Sequence, residues 1–510
     1  MPIRSYEEAL AFWFGRINYE QTGMPPDLRA LKLERMQALL DRLGRPQERL
    51  RIIHIAGSKG KGSTAAMLAA ILQAAGYRTG LFTSPHLCRV EERVQVNGQC
   101  ISPPELTTLM QEIESACKEV EAAGHTPLTF FEIITALGWL HFARRRVDWA
   151  VVEVGLGGRF DSTNVCRPHV AVITSISLDH VQQLGPTLAH IAREKAGIIK
   201  PGVPVVSGVT EVEPAGVIRA VARQQQAPLY ELGVHFEFEY QPGQFTPRLL
   251  RWPSLRYRSL THSPASPLAI RYSPFAAGYT IGHSPVATVE ATVTRNSYRG
   301  PHGGFTPSAG DASQAGEFTL SLWGRHQAAN AAVALAVVER LRELGLPLPD
   351  EAISRGLAQV HWPARVEVLH AHPTVVLDCA HNRASVAALV HTLRESFSWR
   401  RLIVVLGCSR DKDIAGMLAE LAPVTDAIYL TRYSTSPRAA DPEELRDLWL
   451  GPGPAHVHTK AESAWCAALE AAQPDDLICI TGSVFLAGEL RDRILTSLGS
   501  TVSPAASAVS

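Results

Sequence analysis

Six residues, Gly57 to Gly62 in "GSKGKG", contain three glycines and two lysines, and they stand between the apolar run "RIIHIA" and the alanine-rich "STAAMLAAILQAAG". A glycine-rich turn can aim consecutive backbone amides at one anion, and a helix that starts just after it adds the positive end of its dipole. The chemistry this suits is a triphosphate cradle, in which Lys61 neutralises phosphate oxygens and Ser63 or Thr64 holds phosphate or a divalent cation. The spacing departs from GxxxxGK[ST], because Gly62 separates Lys61 from the Ser63-Thr64 pair. The plainer alternative is an ordinary strand-to-helix turn with solvated lysines. Phosphoryl chemistry also calls for metal ligands, which are hard donors at the ends of neighbouring strands. Ser84 ends "LFTS", Glu153 sits in "VVEVGLGGRFDSTN", and His180 closes "ITSISLDH". Singly these read as a turn serine, a paired carboxylate and a hydrogen-bonded loop histidine. Their shared place at the carboxyl ends of parallel strands is what favours ligand binding.

The elements around them follow from pattern. Residues 28–43 have apolar positions at helical spacing and stop at Gly44. Strands are expected at "RIIHIA", "TGLFT" (79–83), "WAVVEVG" (149–155), "HVAVITSI" (169–176) and "VPVVSG" (203–208), with helical stretches between several of them. Such alternation predicts an α/β fold, a mostly parallel sheet with helices on both faces. From 233 to 316 the texture turns rich in Pro, Gly, Ser and Tyr, and the expectation is irregular hairpins and partly disordered loop. Beyond it, "RHQAANAAVALAVVERLREL" has helical spacing, and "TVVLDCAHN" (374–382), "RLIVVLG" (401–407) and "DLICITGS" (476–483) predict a second, smaller α/β sheet. The domains expected are 1–360, containing the 233–316 insertion, and 361–495, followed by an unstructured tail over 496–510.

Bulk composition limits the function classes. A chain of 510 residues is too long for one ordinary core. Lysine plus arginine and aspartate plus glutamate count 49 each, so no global field recruits nucleic acid and an anion site must be built locally. None of the eight cysteines stands in a CxxC or CxxH pair, which argues for reduced thiols and against zinc. No apolar run approaches the ~20 residues of a membrane span, and the N-terminus does not read as a signal peptide. The expectation is a cytoplasmic protein without membrane or nucleic-acid partners.

Taken in order, "AGSKGKGST", "TSPHL", "TFFE", "VEVGLGGRFDSTN", "SLDH", "REKAGIIKPGVPVV", "GRHQAANA", "PAR" and "LDCAHN" resemble the folylpolyglutamate synthase/dihydrofolate synthase branch of the Mur ligases, over about 30–232 and 317–490. The resemblance implies a P-loop NTPase-like first domain and a Rossmann-like glutamate-ligase domain. It implies that Gly60, Lys61, Gly62 and Ser63 bind ATP phosphates, and that Ser84, Glu153 and His180 surround magnesium. Thr129, Phe130, Phe131 and Glu132, with Phe160, Asp161 and Ser162, match the family's pterin positions. Lys195 matches a lysine the family bears as a carbamate, which would ligate a second metal. Asn330, Arg365 and Asp378 match nucleotide contacts, and His381 and Ser483 resemble positions near the incoming glutamate. Lys61, His180, Lys195 and His381 are the catalytic candidates.

There are departures from the family pattern. Ser58-Lys59 replaces the usual Thr-Asn, Ala364 stands within Pro-Ala-Arg where Pro-Gly-Arg is expected, and Arg383 follows "CAHN" where proline is common. The implied reaction is attack of a substrate carboxylate on the γ-phosphorus of MgATP, then displacement of phosphate from the acyl phosphate by the amine of L-glutamate. The acceptors are dihydropteroate or tetrahydrofolate, and a monomer is expected. A related ligase acting on a UDP-sugar peptide and a non-enzymatic ATP switch are the rival readings.

Overall fold

The computed structural model describes residues 3–22, 33–246, 249–260 and 316–499. Strand β1 (Ile52–Ala56) is buried along its whole length, as a nearly all-apolar strand covered on both faces must be. It lies inside an eight-stranded sheet with β2 (Thr79–Phe82), β3 (Val94–Val96), β4 (Gln99–Cys100), β5 (Trp149–Glu153), β6 (Val170–Ile173), β7 (Val205–Ser207) and β8 (Leu229–Glu231). The order is β4-β3-β2-β5-β1-β6-β7-β8; the β2–β3 and β3–β4 pairs are antiparallel and the others parallel. Ile55 is level with Glu153 on one neighbour and with Val172 on the other. The loops leaving β1, β5 and β6 therefore emerge side by side, and this register is what assembles the site.

Alternate residues of β1 serve opposite cores, as the two-residue period of a strand demands. Ile53 and Ile55 join Met67 and Leu68 of the Lys61–Ala74 helix and Ala332 and Val337 of the Arg325–Glu343 helix. Ile52 faces the other side, where the helices Tyr6–Phe14, Leu33–Arg42, Pro103–Ala122 and Phe130–Arg144 contribute Trp13, Leu39, Met110 and Phe142. The expected helix over 28–43 is present from Leu33 to Arg42, and 28–32 fall outside the described residues.

Part of the 233–316 stretch is regular. β9 (Phe236–Gln241), β12 (Ser254–Ser259) and β13 (Gly316–Thr319) form an antiparallel sheet, and β10 (Gln244–Thr246) pairs with β11 (Leu249–Arg251). The expected loop over 261–315 lies outside the described residues.

The second sheet has the order β14-β15-β19-β16-β17-β18, from β14 (Glu367–Ala371), β15 (Thr374–Leu377), β16 (Leu402–Leu406), β17 (Ala427–Leu430), β18 (Ala455–Val457) and β19 (Leu477–Thr481). The three strands legible in sequence, β15, β16 and β19, are its fully buried centre. β14 and β18 are half-exposed edges whose polar residues hide the pattern. The last helix, Val484–Leu498, continues through 496–498, which corrects a tail beginning at 496. Residues 500–510 lie outside the described residues.

Burial also sets a pH response. His54 and His141 are almost wholly enclosed, and burial is the main force pushing them from an ordinary 6.5 down to about 3 and about 4. Below pH 6.5 the unfolded chain takes up protons that these folded imidazoles refuse, so stability falls as pH falls from about 6.5 to about 4. The urea midpoint is expected to drop steadily through that window. A midpoint unchanged between pH 7 and pH 4 would contradict the assignment.

Candidate active site

The loop after β1 is built from both ends. Ser58 N–H donates to the Ser175 carbonyl (2.8 Å), Lys59 N–H to Ser175 Oγ (3.0 Å), and Thr174 Oγ1 to the Lys59 carbonyl (2.6 Å). These bonds tie the loop to the segment leaving β6. Gly60 then turns with φ +83°, a left-handed conformation that favours glycine. A Cβ there would lie 2.1 Å from Asn330 Oδ1, so Asn330 closes directly over the loop. The first bond within the following helix is Thr64 N–H to the Gly60 carbonyl, which leaves the amides of Lys61, Gly62 and Ser63 without an intrahelical acceptor. Thr64 Oγ1 is buried with no partner among the described residues, as is Ser177 Oγ beside the loop. Unpaired donors and orphaned hydroxyls around a positive helix end fit a bound polyphosphate.

Glu153 ends β5 beside this turn and is 4% exposed. Its Oε1 lies 3.7 Å from Lys61 Nζ, and its Oε2 accepts from Ser84 N–H at 3.3 Å. Burial raises the carboxyl above its ordinary value, and the Lys61 charge works against that rise. His180 follows β6 in a left-handed conformation, with Nε2 3.8 Å from Asp179 Oδ1. The structure thus brings Lys61, Glu153 and Ser84 into contact and sets His180 on the adjoining loop. Among the described residues no three His, Cys, Asp or Glu side chains converge as a metal cage. A hydroxyl, one carboxylate and one imidazole instead fit a cation that keeps water and phosphate oxygens among its ligands.

Lys59, the family departure, does not present a free charge. Its Nζ pairs with Asp179 Oδ2 at 2.6 Å, and against the opposing effect of burial that cation holds the Asp179 carboxyl far below the usual carboxylate range. Lys195 lies in the Leu188–Ala196 helix and donates from Nζ to the Gly57 carbonyl at 2.9 Å. Burial first, then the neighbouring Lys61, pushes it down to about 7.

The acceptor-side candidates divide. Thr129 and Glu132 form a capping box at the start of the Phe130–Arg144 helix, with Thr129 N–H to Glu132 Oε2 at 2.8 Å and Thr129 Oγ1 to the same oxygen at 2.7 Å. Glu132 also pairs with Arg35 at 2.5 Å. Phe130 is stacked on Trp13, with ring centroids 4.9 Å apart, and belongs to the core. Phe131 is the half-buried member, lying across the glycine turn so closely that a Cβ at Gly155 would sit 2.4 Å from its Cζ. Asp161 is turned into its own loop, accepting from Leu156 N–H (3.0 Å), Thr163 N–H (3.0 Å) and Thr163 Oγ1 (2.5 Å). Ser162 Oγ lies 3.3 Å from Thr135 Oγ1, and Arg159 covers the ring of Phe160 at 5.0 Å.

The second sheet reaches the same place. Asp378 holds the turn before it by accepting from Val366 N–H (2.9 Å) and Ala380 N–H (2.7 Å). The neighbouring Arg365 cation offsets burial of Asp378 and also lowers Glu153, so it bears on the first domain's carboxylate. His381 Nδ1 stands 2.9 Å from the Cys379 carbonyl, which requires the proton on Nδ1 and leaves Nε2 a bare acceptor. Burial and Lys59 hold that imidazole down to about 3. Ser483 caps the last helix by accepting from Phe485 N–H at 3.1 Å.

Some contributors are invisible to sequence spacing. Trp362 stands 3.1 Å from where a Cβ on Gly62 would be. Arg93, 1% exposed, makes a two-pronged pair with Glu20 (2.8 and 2.6 Å), donates to His86 Nδ1 (2.8 Å) and faces Phe130. Arg438 of the second domain donates to the Glu20 carbonyl (3.1 Å), joining the two halves of the chain. No local signal marks this set, because its members lie far apart in sequence. A cavity of about 1260 Å³ opens at the opposite, amino ends of the strands beside Leu50, His169 and Val203, and no phosphate-loop residue lines it.

Comparison with known proteins bears on this geometry. The Mur ligase middle domain matches residues 55–213, and the Mur ligase glutamate ligase domain matches 364–484. The dihydrofolate synthase/folylpolyglutamate synthase of Bacillus subtilis is 32% identical over 96% of this chain and 99% of its own length. That of Mycobacterium tuberculosis is 36% identical over 90% of this chain and 89% of its own. Among solved structures, M. tuberculosis folylpolyglutamate synthase complexed with ADP aligns with TM-score 0.76 at 32% identity, covering 96% of this chain and 98% of that one. E. coli FolC in complex with DHPP and ADP aligns with TM-score 0.75 at 29% identity, covering 97% and 98%.

Proposed function

Because the chain belongs to the folylpolyglutamate synthase/dihydrofolate synthase family of Mur ligases, we infer that it is an ATP-dependent ligase joining L-glutamate to dihydropteroate and to tetrahydrofolate tails. The observation that carries the reading in this molecule is the contact of Lys61, Glu153 and Ser84 at the phosphate loop, with Arg365 of the second domain bearing on the same carboxylate. Relatives that match nearly end to end supply the substrate class.

A carboxylate is a poor electrophile, so it needs activation before an amine can attack it. In this reading the loop amides and Lys61 grip the β- and γ-phosphates, and Asn330, Arg365 and Asp378 hold the nucleotide from the other side. The acceptor carboxylate meets the γ-phosphorus, and Lys61 and Arg365 balance the charge that spreads over the transferring oxygens. Ser84, Glu153 and His180 would hold magnesium, which supplies charge neutralisation at the phosphates when bound. Phe131 and the loop Phe160–Ser162 form the wall for the flat pterin, while Phe130, Thr129 and Glu132 hold that wall in place. His381 and Ser483 stand on the glutamate side. The division of labour proposed is 1–360 for ATP and pterin and 361–495 for glutamate. Closing the two halves brings the three substrates together. Among the described residues no helix is long and apolar enough to cross a membrane.

Purified protein with MgATP, glutamate and dihydropteroate is expected to release ADP and form dihydrofolate. ADP release that needs no glutamate, or no turnover with either pterin acid, would reject the reading. Lys195 is the proposed carbamate: held down to about 7, a large share of its amine is uncharged near neutrality and able to add carbon dioxide. The bond to the Gly57 carbonyl survives that change, because a carbamate keeps one N–H. Native mass spectrometry in bicarbonate is expected to show one added carbon dioxide that Lys195→Met lacks. Equal masses for the two proteins, after allowing for the substitution, would exclude the carbamate.

A further inference from the structure

His54 sits at the middle of β1, fully enclosed, and the ligase mechanism gives it no task. Its Nε2 lies 2.8 Å from Thr163 Oγ1, and Thr163 Oγ1 lies 2.5 Å from Asp161 Oδ1. On the other side of the ring, Nδ1 is 3.8 Å from Cys166 Sγ. All four side chains are buried.

Hydrogen counting gives this row one direction. The Asp161 carboxylate already receives the N–H groups of Leu156 and Thr163, and an acid proton there would crowd a further hydrogen into the cluster. Asp161 therefore accepts, and the single Thr163 hydroxyl proton points to it. The hydroxyl oxygen must then accept from His54, which places the imidazole proton on Nε2. Nδ1 is left bare and accepts the Cys166 thiol. Each link determines the next.

We propose that His54 is a positioning residue for pterin binding, acting through Thr163 to fix the carboxylate that shapes the Leu156–Asn164 turn. Asp161 Oδ2 holds Leu156 N–H and Oδ1 holds Thr163 N–H, so its orientation sets the path of the chain as it leaves Gly155, the residue against which Phe131 lies. The proposal rests on the functional reading above, in which this turn meets the pterin. It adds that the turn's geometry is set from inside the sheet by a residue of the strand that also leads to the phosphate loop.

That shared strand provides the discriminating test. A role limited to the integrity of β1 would disturb ATP and pterin binding together, since Gly57 follows His54 by three residues. Positioning through Thr163 disturbs the pterin side alone. In the full-length enzyme, Thr163→Val is expected to raise KM for dihydropteroate about ten-fold and to leave KM for ATP within roughly two-fold. Thr163→Ser, which keeps the hydroxyl, is expected to stay near wild type. His54→Gln, whose amide can donate in place of Nε2, should follow Thr163→Ser, and His54→Leu should follow Thr163→Val. Equal rises in both KM values, or equal losses in the Ser and Val variants, would overturn the proposal. Nitrogen NMR of the imidazole gives an answer independent of turnover: a proton on Nε2 is expected, and a proton on Nδ1 would overturn the direction of the chain. If wild-type enzyme turns over no pterin acid, the functional reading fails while the NMR result still decides the chain.

Discussion

Lys61→Ala is expected to lower kcat/KM by roughly 10³-fold, equivalent to about 4 kcal/mol of transition-state stabilisation, while the protein stays folded. Lys61 opens the helix after the loop and is the cation nearest Glu153, at 3.7 Å. Charge spreads over the γ-phosphoryl oxygens as the acceptor carboxylate approaches, and a fixed ammonium at the loop stabilises that state more than the ground state. The fold does not depend on it, because the helix is held by the Met67, Leu68 and Ile71 contacts of the core. Glutamate-dependent ADP release and a thermal melt check both halves. More than about a tenth of wild-type turnover in a well-folded variant would remove Lys61 from the mechanism.

Glu153→Gln is expected to lower kcat by about 10²-fold or more and to raise the magnesium concentration needed for half-maximal rate. Glutamine keeps the shape and an oxygen that can accept from Ser84 N–H, so the loss reports the charge. The sign of the stability change follows from the titration. Burial raises the Glu153 carboxyl, so the folded state binds a proton more readily than the unfolded one, and ionisation at neutral pH opposes folding. The neutral variant should therefore melt no lower than wild type. A magnesium response unchanged from wild type would separate Glu153 from the metal, and a large drop in melting temperature would mean that the carboxylate is structural.

The His54 chain and the Lys61 centre are joined by one strand, which carries His54 and leads into the loop before Lys61, and this bears on both experiments. β1 is the strand flanked by β5 and β6, and its register with Glu153 and Val172 places the three carboxyl-end loops together. A change at the strand's middle can reach either loop, so separate measurement of the ATP and pterin constants is needed to tell them apart.

Local pattern determined a good deal about this protein. The run "RIIHIAGSKGKGSTAAMLAAILQ" specifies strand, turn and helix, because burial on both faces, a left-handed Gly60 and an alanine-rich helix each leave a mark within a few residues. The central strands β15, β16 and β19 were legible for the same reason, and the ordered set of motifs named the family. Tertiary structure alone decided which candidates meet. It put Glu153 against Lys61 across 92 residues of chain, neutralised Lys59 with Asp179, and sent Phe130 into the core while leaving Phe131 over the glycine turn. It also recruited Arg93, Glu20 and Arg438, which no spacing announces. The reason is physical: propensity and periodicity act over one or two turns of chain, whereas a charge finds its partner through strand register and the packing of helices on a sheet, and those are set by contacts distant in sequence.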